Sequence, residues 1–292
     1  MTSVTREEIL SQPQVWKQAL ASEPPATVFG NAGDRVLFLG CGTSAFVAEA
    51  LAELRERAGL GISDAAYASE WVPLRGYDRI VVISRSGTTS EVLSVLRDLP
   101  DGVATTAVVG VADSPVALAV DDALVLDYAD ESSVVQTRFP TTVLLLGRRA
   151  FGESVDHLPA EAEAALKREP AVPVADFSHF VYLGRSWTHG LAQEAALKVR
   201  EAAQAWSESY PALDYRHGPI AVAHEGTLVV ELGDADAELE ADIRRTGAVV
   251  VHEDLDPLIQ LARAQALAVD LAEARGLDPD APRHLTRSVV LN

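Results

Sequence analysis

Among 292 residues there is a single cysteine, Cys41. One thiol cannot form an intrachain disulfide or supply a Cys-rich metal site, so a reducing compartment is expected and the core must hold the fold unaided. The histidines at 157, 179, 189, 217, 224, 252 and 284 show no metal-ligand spacing such as i, i+4, and the sequence calls for neither metal nor cofactor. No run of about 18 apolar residues is present, and Met1–Leu20 mixes charge into every turn instead of forming a secretory signal. The expectation is a soluble, cytoplasmic protein with no membrane partner. Basic residues are scarce, with 24 Lys and Arg against 43 Asp and Glu, a formal net charge of −19. Such a chain repels phosphate backbones at long range, which argues against nucleic acid as a partner. A small anion is not excluded, because backbone N–H groups at helix N-termini bind phosphate locally. No G-x-x-x-x-G-K-[ST] occurs to suggest a nucleoside triphosphate.

What is present is ordinary globular composition, 48% hydrophobic and 23% charged, at a length that suggests about two domains. Apolar runs resembling buried parallel strands recur at Val36–Leu39, Ile80–Ile83, Thr106–Val111, Phe180–Leu183, Leu228–Leu232 and Ala248–His252, with helical stretches between them. This alternation predicts an α/β fold with parallel sheets flanked by helices. The order repeats: VLFLG at Val36 resembles FVYLG at Phe180, and TAVVGV from Thr106 resembles GAVVVH from Gly247, which favours a duplication. The expected organisation is an N-terminal helical segment over 1–30, a first doubly wound unit over 31–165 and a second over 166–292. EAEAALKREPAVP, from Glu161 to Pro173, reads as a charged helix and a Pro-rich linker at the boundary. Residues 5–21 read as an amphipathic helix and Asp256–Arg275 as a helix ending at Gly276. The final TRSVVLN reads as a short strand-like end that could cover a pocket.

Two strands are followed by turns rich in glycine and hydroxyls, Gly40-Cys41-Gly42-Thr43-Ser44-Ala45 and Ser84-Arg85-Ser86-Gly87-Thr88-Thr89-Ser90. In an open α/β sheet the ligand crevice lies at the carboxyl ends of strands, so the two turns can converge on one anion. Each turn alone also reads as plain helix capping. GCGTSA fits G-x-G-x-x-A as well, which leaves a dinucleotide site with Glu70 as the ribose acid as a competing reading. From Thr188 to Trp206 the pattern is helical, and Glu194, Lys198, Glu201 and Glu208 recur on one face. That row is either a solvated stripe of ion pairs or a functional one. Tyr215-Arg216-His217-Gly218-Pro219 then sets His217 against a turn.

Taken together these segments resemble the sugar isomerase (SIS) family, particularly the isomerase half of glutamine:fructose-6-phosphate amidotransferase. The resemblance runs through CGTS at Cys41–Ser44, ASEW at Ala68–Trp71, SRSGTT at Ser84–Thr89 and ESSVVQTRFPTT at Glu131–Thr142. It continues through QEAALKVRE at Gln193–Glu201, YRHGP at Tyr215–Pro219 and DPDAPRHLTRSV at Asp278–Val289. It implies two tandem SIS units and a phosphate held by Ser84, Ser86 and Thr89, with Arg85 beside them. Gly42, Thr43 and Ser44 would lie next to the sugar, with Val134 and Gln136 along the pocket wall. By the same resemblance Glu201 moves a proton between C1 and C2, His217 opens the sugar ring, and Glu194 and Lys198 are their neighbours. A homodimer is implied too, with His217 reaching the neighbouring subunit's site.

Three positions depart from the family pattern. Gln136 replaces a serine, Arg85 replaces a glutamine, and Arg287 stands where the family has a lysine proposed to form a Schiff base. A guanidinium that stays protonated cannot be that nucleophile, so Arg287 is expected to stabilise charge on sugar oxygens. No glutaminase segment or N-terminal nucleophilic cysteine occurs in the sequence, and glutamine-dependent synthesis is not expected. The reaction implied is proton abstraction at C2 of a hexose or (N-acetyl)hexosamine 6-phosphate, leading to aldose–ketose isomerisation or amino-sugar deamination. β-Elimination by a dehydratase or etherase starts with the same step. A non-catalytic sugar-phosphate sensor is the alternative from another class, disfavoured by the joint presence of Glu201 and His217.

Overall fold

The computed structural model describes residues 2–22, 25–72 and 75–291. The chain begins with α1 (Val4–Ala21), then β1 (Val36–Gly40), α2 (Thr43–Arg57), β2 (Ser63–Tyr67), β3 (Arg79–Ser84), α3 (Ser90–Arg97), β4 (Ala104–Val109), α4 (Pro115–Leu118) and β5 (Asp122–Val125). Two helices, α5 (Arg138–Ala150) and α6 (Leu158–Ala165), lead to β6 (His179–Gly184), α7 (Thr188–Ala203), β7 (Trp206–Pro211), β8 (Thr227–Leu232), α8 (Ala237–Arg244), β9 (Val249–His252) and α9 (Pro257–Ala274).

The strands form two parallel sheets, of order β2-β1-β3-β4-β5 and β7-β6-β8-β9. The fold is α/β, and the second sheet repeats the order of the first four strands of the first. β6 stands where β1 does and β9 where β4 does, which matches the repeated sequence pairs. Gly40 and Gly184, the equivalent last residues of β1 and β6, share a steric reason. A Cβ at Gly40 would lie 2.5 Å from the Ser44 carbonyl carbon, and one at Gly184 would lie 2.1 Å from the Thr188 carbonyl oxygen. In both sheets the following helix starts hard against the strand end, so only glycine fits.

One continuous core joins the two sheets. It takes in Trp16 of α1, Leu51 of α2, Phe139 of α5, Leu191 of α7 and Leu261 of α9. The N-terminal helix is thus buried against the rest, and Glu8, Gln12 and Trp16 on it are all buried. At Gly190 a Cβ would lie 2.5 Å from the Phe46 carbonyl oxygen, so α2 and α7 approach closely there. That approach brings the first turn of α2 against the middle of α7.

Three strands lie outside the apolar runs of the sequence: SDAAY in β2, DALV in β5 and WSESYP in β7. Each is an edge of its sheet. Residues on an edge are open to solvent on one side, so selection for continuous Val and Ile is relaxed there. The helix expected over Thr188–Trp206 stops at Ala203, because Gln204 takes a left-handed φ of 49°. Glu208 therefore leaves the helical row. It sits on β7, where its carboxylate meets His179 Nε2 at 3.0 Å.

Among the described residues, which end at Leu291, the tail forms no strand, contrary to the pattern of TRSVVLN. They are held mainly by side chains. Asp280 accepts hydrogen bonds from Val4 N, Thr5 N and Thr5 Oγ1 at the start of α1, where the helix dipole favours an anion. Beyond it the tail runs back across the carboxyl end of the first sheet.

Candidate active site

The strand order of the first sheet reverses between β1 and β3, and Leu39 lies beside Val82 in the register. The turns after these strands are therefore neighbours at the switch point, where an open sheet leaves a crevice. A cavity of about 180 Å³ opens there. Gly42, Thr43 and Ser44 line it from the turn after β1, and Ser84, Arg85, Ser86 and Thr89 from the turn after β3. A wider groove of about 990 Å³ lies over α3, but it lacks all of these residues.

The second turn is tied in on itself. Gly87 N donates to Ser84 Oγ at 3.2 Å, and the hydroxyls of Ser84 and Thr89 are 3.3 Å apart. Gly87 has a φ of 64°, and a Cβ there would lie 2.0 Å from Ser114 Oγ. Glycine is required on both counts. The turn opens α3, so its hydroxyls and the helix's first N–H groups face the same anion position.

Val134 and Gln136 form another wall. Glu8 and Glu131 fix that wall from behind. Glu8 accepts from Ser132 N at 2.6 Å and Ser133 N at 3.3 Å, while Glu131 accepts from Thr137 N, Thr137 Oγ1 and Arg138 N at 2.5, 2.6 and 2.9 Å. The Arg85 guanidinium is turned into this framework. It is buried, donates to the Ser133 and Arg287 carbonyls at 2.8 Å each, and lies 3.9 Å from Glu131. Burial lowers its pKa, opposed chiefly by Glu131. Arg85 thus braces the wall and the tail, and its charge lies behind the turn.

From α7, Glu201 reaches the cavity. Lys198 Nζ contacts Glu201 Oε2 at 2.5 Å and Glu194 Oε1 at 3.3 Å, and donates to Thr43 Oγ1 at 3.1 Å. Thr43 in turn donates to Glu194 Oε2 at 2.8 Å. Glu194 and Lys198 are each only 1% exposed, which rules out the solvated-stripe reading for them. The i, i+4 and i+7 spacing puts all three on the face that meets α2.

Burial pushes the Glu194 carboxyl up to about 7; negative Glu201 adds to the shift, and Lys198 and Thr43 oppose it. Burial alone would lower Lys198, but attraction to Glu194 and Glu201 outweighs it and the pKa is raised. A carboxyl whose folded pKa lies above its ordinary 4.5 gives stability that is complete below that value and is lost as pH rises through about 7. Glu231 on β8 is also pushed up to about 7, by burial and Glu240, so the wild-type curve mixes the two. The difference between wild type and Glu194→Gln isolates one. Urea midpoints should show wild type losing stability relative to Glu194→Gln between pH 4.5 and 7. Parallel profiles would contradict the assignment.

Arg287 also lines the cavity, from the tail, and its guanidinium contacts Asp130 Oδ1 and Oδ2 at 2.5 Å. His217 is not in this cavity. It is exposed, at the end of a 3-10 turn over Ala212–His217. Glu70, the ribose acid of the dinucleotide reading, is exposed and outside the cavity lining. Thus Gly42, Thr43, Ser44, Ser84, Arg85, Ser86, Thr89, Val134, Gln136, Glu201 and Arg287 come together within one chain, Glu194 and Lys198 lie buried beside them, and His217 stays apart.

No protein-family model matches the chain. Among solved structures, glucosamine-6-phosphate deaminase from Thermotoga maritima superposes with a TM-score of 0.85 at 28% identity, covering 99% of this chain and 100% of that one. The chain has the SIS fold. The tagatose-6-phosphate ketose/aldose isomerase of Escherichia coli shares the fold, with a TM-score of 0.80 at 21% identity over 100% of this chain and 96% of that one. In sequence, the isomerizing glutamine–fructose-6-phosphate aminotransferase of Bradyrhizobium diazoefficiens is 28% identical, over 98% of the chain and 58% of that relative. The chain spans little more than half the length of such curated relatives. The proteins it resembles include isomerizing aminotransferases, a glucosamine-6-phosphate deaminase and a ketose/aldose isomerase. Among the described residues no helix is long and apolar enough to cross a membrane, and no group of three or more His, Cys, Asp or Glu could hold a metal ion.

Two parts of the site go beyond what the sequence alone points to. Glu8 is a charged residue on an N-terminal helix, and nothing in its neighbourhood signals that it clamps a wall more than 120 residues away. Ser288 and Thr88 join the hydroxyl cluster of the second turn. Thr88 could have been found, since it lies inside the turn motif. Ser288 could not, because only the path of the tail brings it there.

Proposed function

We propose that this SIS-fold protein is an enzyme acting on a hexose or hexosamine 6-phosphate, with Glu201 removing the proton at C2. The observation that carries this reading is the meeting of Glu201, gripped by Lys198, with two hydroxyl-rich turns on a single cavity. A phosphate at Ser84, Ser86 and Thr89 orients the open-chain sugar so that binding energy acts at the reacting carbons. Lys198 holds one oxygen of Glu201 and leaves the carboxylate a second for the proton. The C–H electron pair becomes the C1–C2 double bond of an enediolate, and the former carbonyl oxygen takes the negative charge. Return of the proton to C1, as the O2 hydroxyl proton passes to O1, converts aldose to ketose, and the reverse runs the other way. With a 2-amino sugar the same shift gives a C2 imine that water hydrolyses to ammonia and the ketose 6-phosphate. Arg287 is placed to steady negative charge without bonding covalently to the sugar.

Phosphate should be essential. Ser86→Ala or Thr89→Ala should raise KM for the 6-phosphate by the loss of a charge-assisted hydrogen bond, about 1.5–3 kcal/mol each. Equal turnover of glucosamine and glucosamine 6-phosphate would sink the reading.

The exposed position of His217 supports a second element of the proposal, that the protein works as a homodimer with His217 opening the ring in the neighbouring subunit's site. Mixing inactive Glu201→Gln with inactive His217→Ala subunits should then restore part of the activity through hybrid sites. Absence of recovery despite demonstrated subunit exchange would place each site within one chain.

A further inference from the structure

Residues 283–291 of the tail are exposed with one exception, Ser288, which is half-buried. Its hydroxyl lies 3.1 Å from Ser86 Oγ and 2.8 Å from Thr88 Oγ1, and those two are themselves 3.1 Å apart. The three oxygens form a closed triangle at the mouth of the turn that opens α3. Independent contacts lay the tail there. Arg85 Nη2 donates to the Arg287 carbonyl at 2.8 Å, and Leu291 N donates to Ser90 Oγ at 2.9 Å. Among the described residues the hydroxyls of the triangle have as partners only one another and the Thr88 N–H, which reaches Ser86 Oγ at 3.3 Å. Neutral hydroxyl pairs of this kind are weak, whereas an oxyanion accepts shorter and stronger bonds from each of them.

We propose that Ser288 is a further phosphate-binding residue, a hydroxyl that the tail adds to the grip of Ser84, Ser86 and Thr89, so that phosphate binding and tail docking are one event. The inference rests on the phosphate site proposed above. It assigns a binding role to a tail residue outside both glycine-rich turns. It also explains why Ser288 alone is turned inward in an otherwise exposed segment. The opposite arrangement, in which Ser288 occupies the phosphate's place and must leave, predicts the opposite effect of removing its hydroxyl.

The full chain is titrated calorimetrically with inorganic phosphate and with fructose 6-phosphate, as wild type, Ser288→Ala and Ser288→Thr. Ser288→Ala should weaken both ligands about 10–100-fold, the worth of one hydrogen bond to a charged group, and Ser288→Thr should recover most of the loss. Trypsin cleavage after Arg283 and Arg287 provides a second readout. Phosphate should protect these sites in wild type and fail to protect them in Ser288→Ala. Equal or tighter binding by Ser288→Ala, or unchanged protection, overturns the inference while leaving the phosphate site standing. If neither ligand binds wild type, the proposed phosphate site itself fails, and this inference with it.

Discussion

Glu201→Gln should lower kcat by roughly two to four decades, the contribution expected of a general base, while fructose 6-phosphate still binds. The amide keeps the size of the carboxylate and its place on α7 but cannot take a proton. Its nearest neighbour is Lys198 Nζ, at 2.5 Å from Oε2 in the wild type, and the amide oxygen can still accept from it. Binding measured by calorimetry and turnover measured separately should therefore part company. A Glu201→Gln protein with near-normal kcat would remove Glu201 from the chemistry. One that no longer binds would make it a binding residue.

The second large effect is expected at Lys198. This ammonium is 1% exposed and is the shared partner of Glu194 and Glu201. Taking it away leaves the buried Glu194 carboxylate, and that of Glu201 one turn on beside the cavity, without their shared cation. Breaking a buried pair in this way costs about 3–5 kcal/mol, against about 0–1 kcal/mol for an exposed one. Lys198→Met should therefore lower the urea midpoint strongly and weaken turnover, since Glu201 loses its anchor. Glu194→Gln combined with Lys198→Met should be less destabilised than Lys198→Met alone, because one of the stranded charges is gone. A loss below about 1 kcal/mol would show that water reaches the cluster.

The fold was legible in the sequence where strands are covered on both faces. VLFLG, RIVVIS and HFVYLG are buried almost throughout, and such strands must be continuous Val, Ile, Leu and Phe. The edges β2, β5 and β7 were not legible, because one side of each faces solvent and tolerates Ser, Asp and Glu. The two turns could be read because their Gly, Ser and Thr are packed into a few consecutive positions, which is a local pattern. The triad on α7 was half legible. Its spacing named the residues, but the close approach of α2 at Gly190 buries Glu194 and Lys198, and the end of α7 at left-handed Gln204 sends Glu208 onto a strand. Contacts between distant segments, such as Glu8 with Ser132 and Arg85 with the Arg287 carbonyl, leave no local pattern at all.

The central claim is that a phosphorylated sugar is bound here and loses its C2 proton to Glu201, and hydrogen exchange with solvent tests it before any product need be named. The wild-type protein is incubated in D₂O with glucose 6-phosphate, fructose 6-phosphate, glucosamine 6-phosphate and N-acetylglucosamine 6-phosphate, alongside the unphosphorylated sugars, and the deuterium content at C1 and C2 is followed by NMR. Deuterium should enter at least one 6-phosphate at the carbons flanking the transferred proton, should not enter the unphosphorylated sugars, and should be lost with Glu201→Gln. Exchange that is equally fast in Glu201→Gln, or equally fast without the phosphate, would contradict the account.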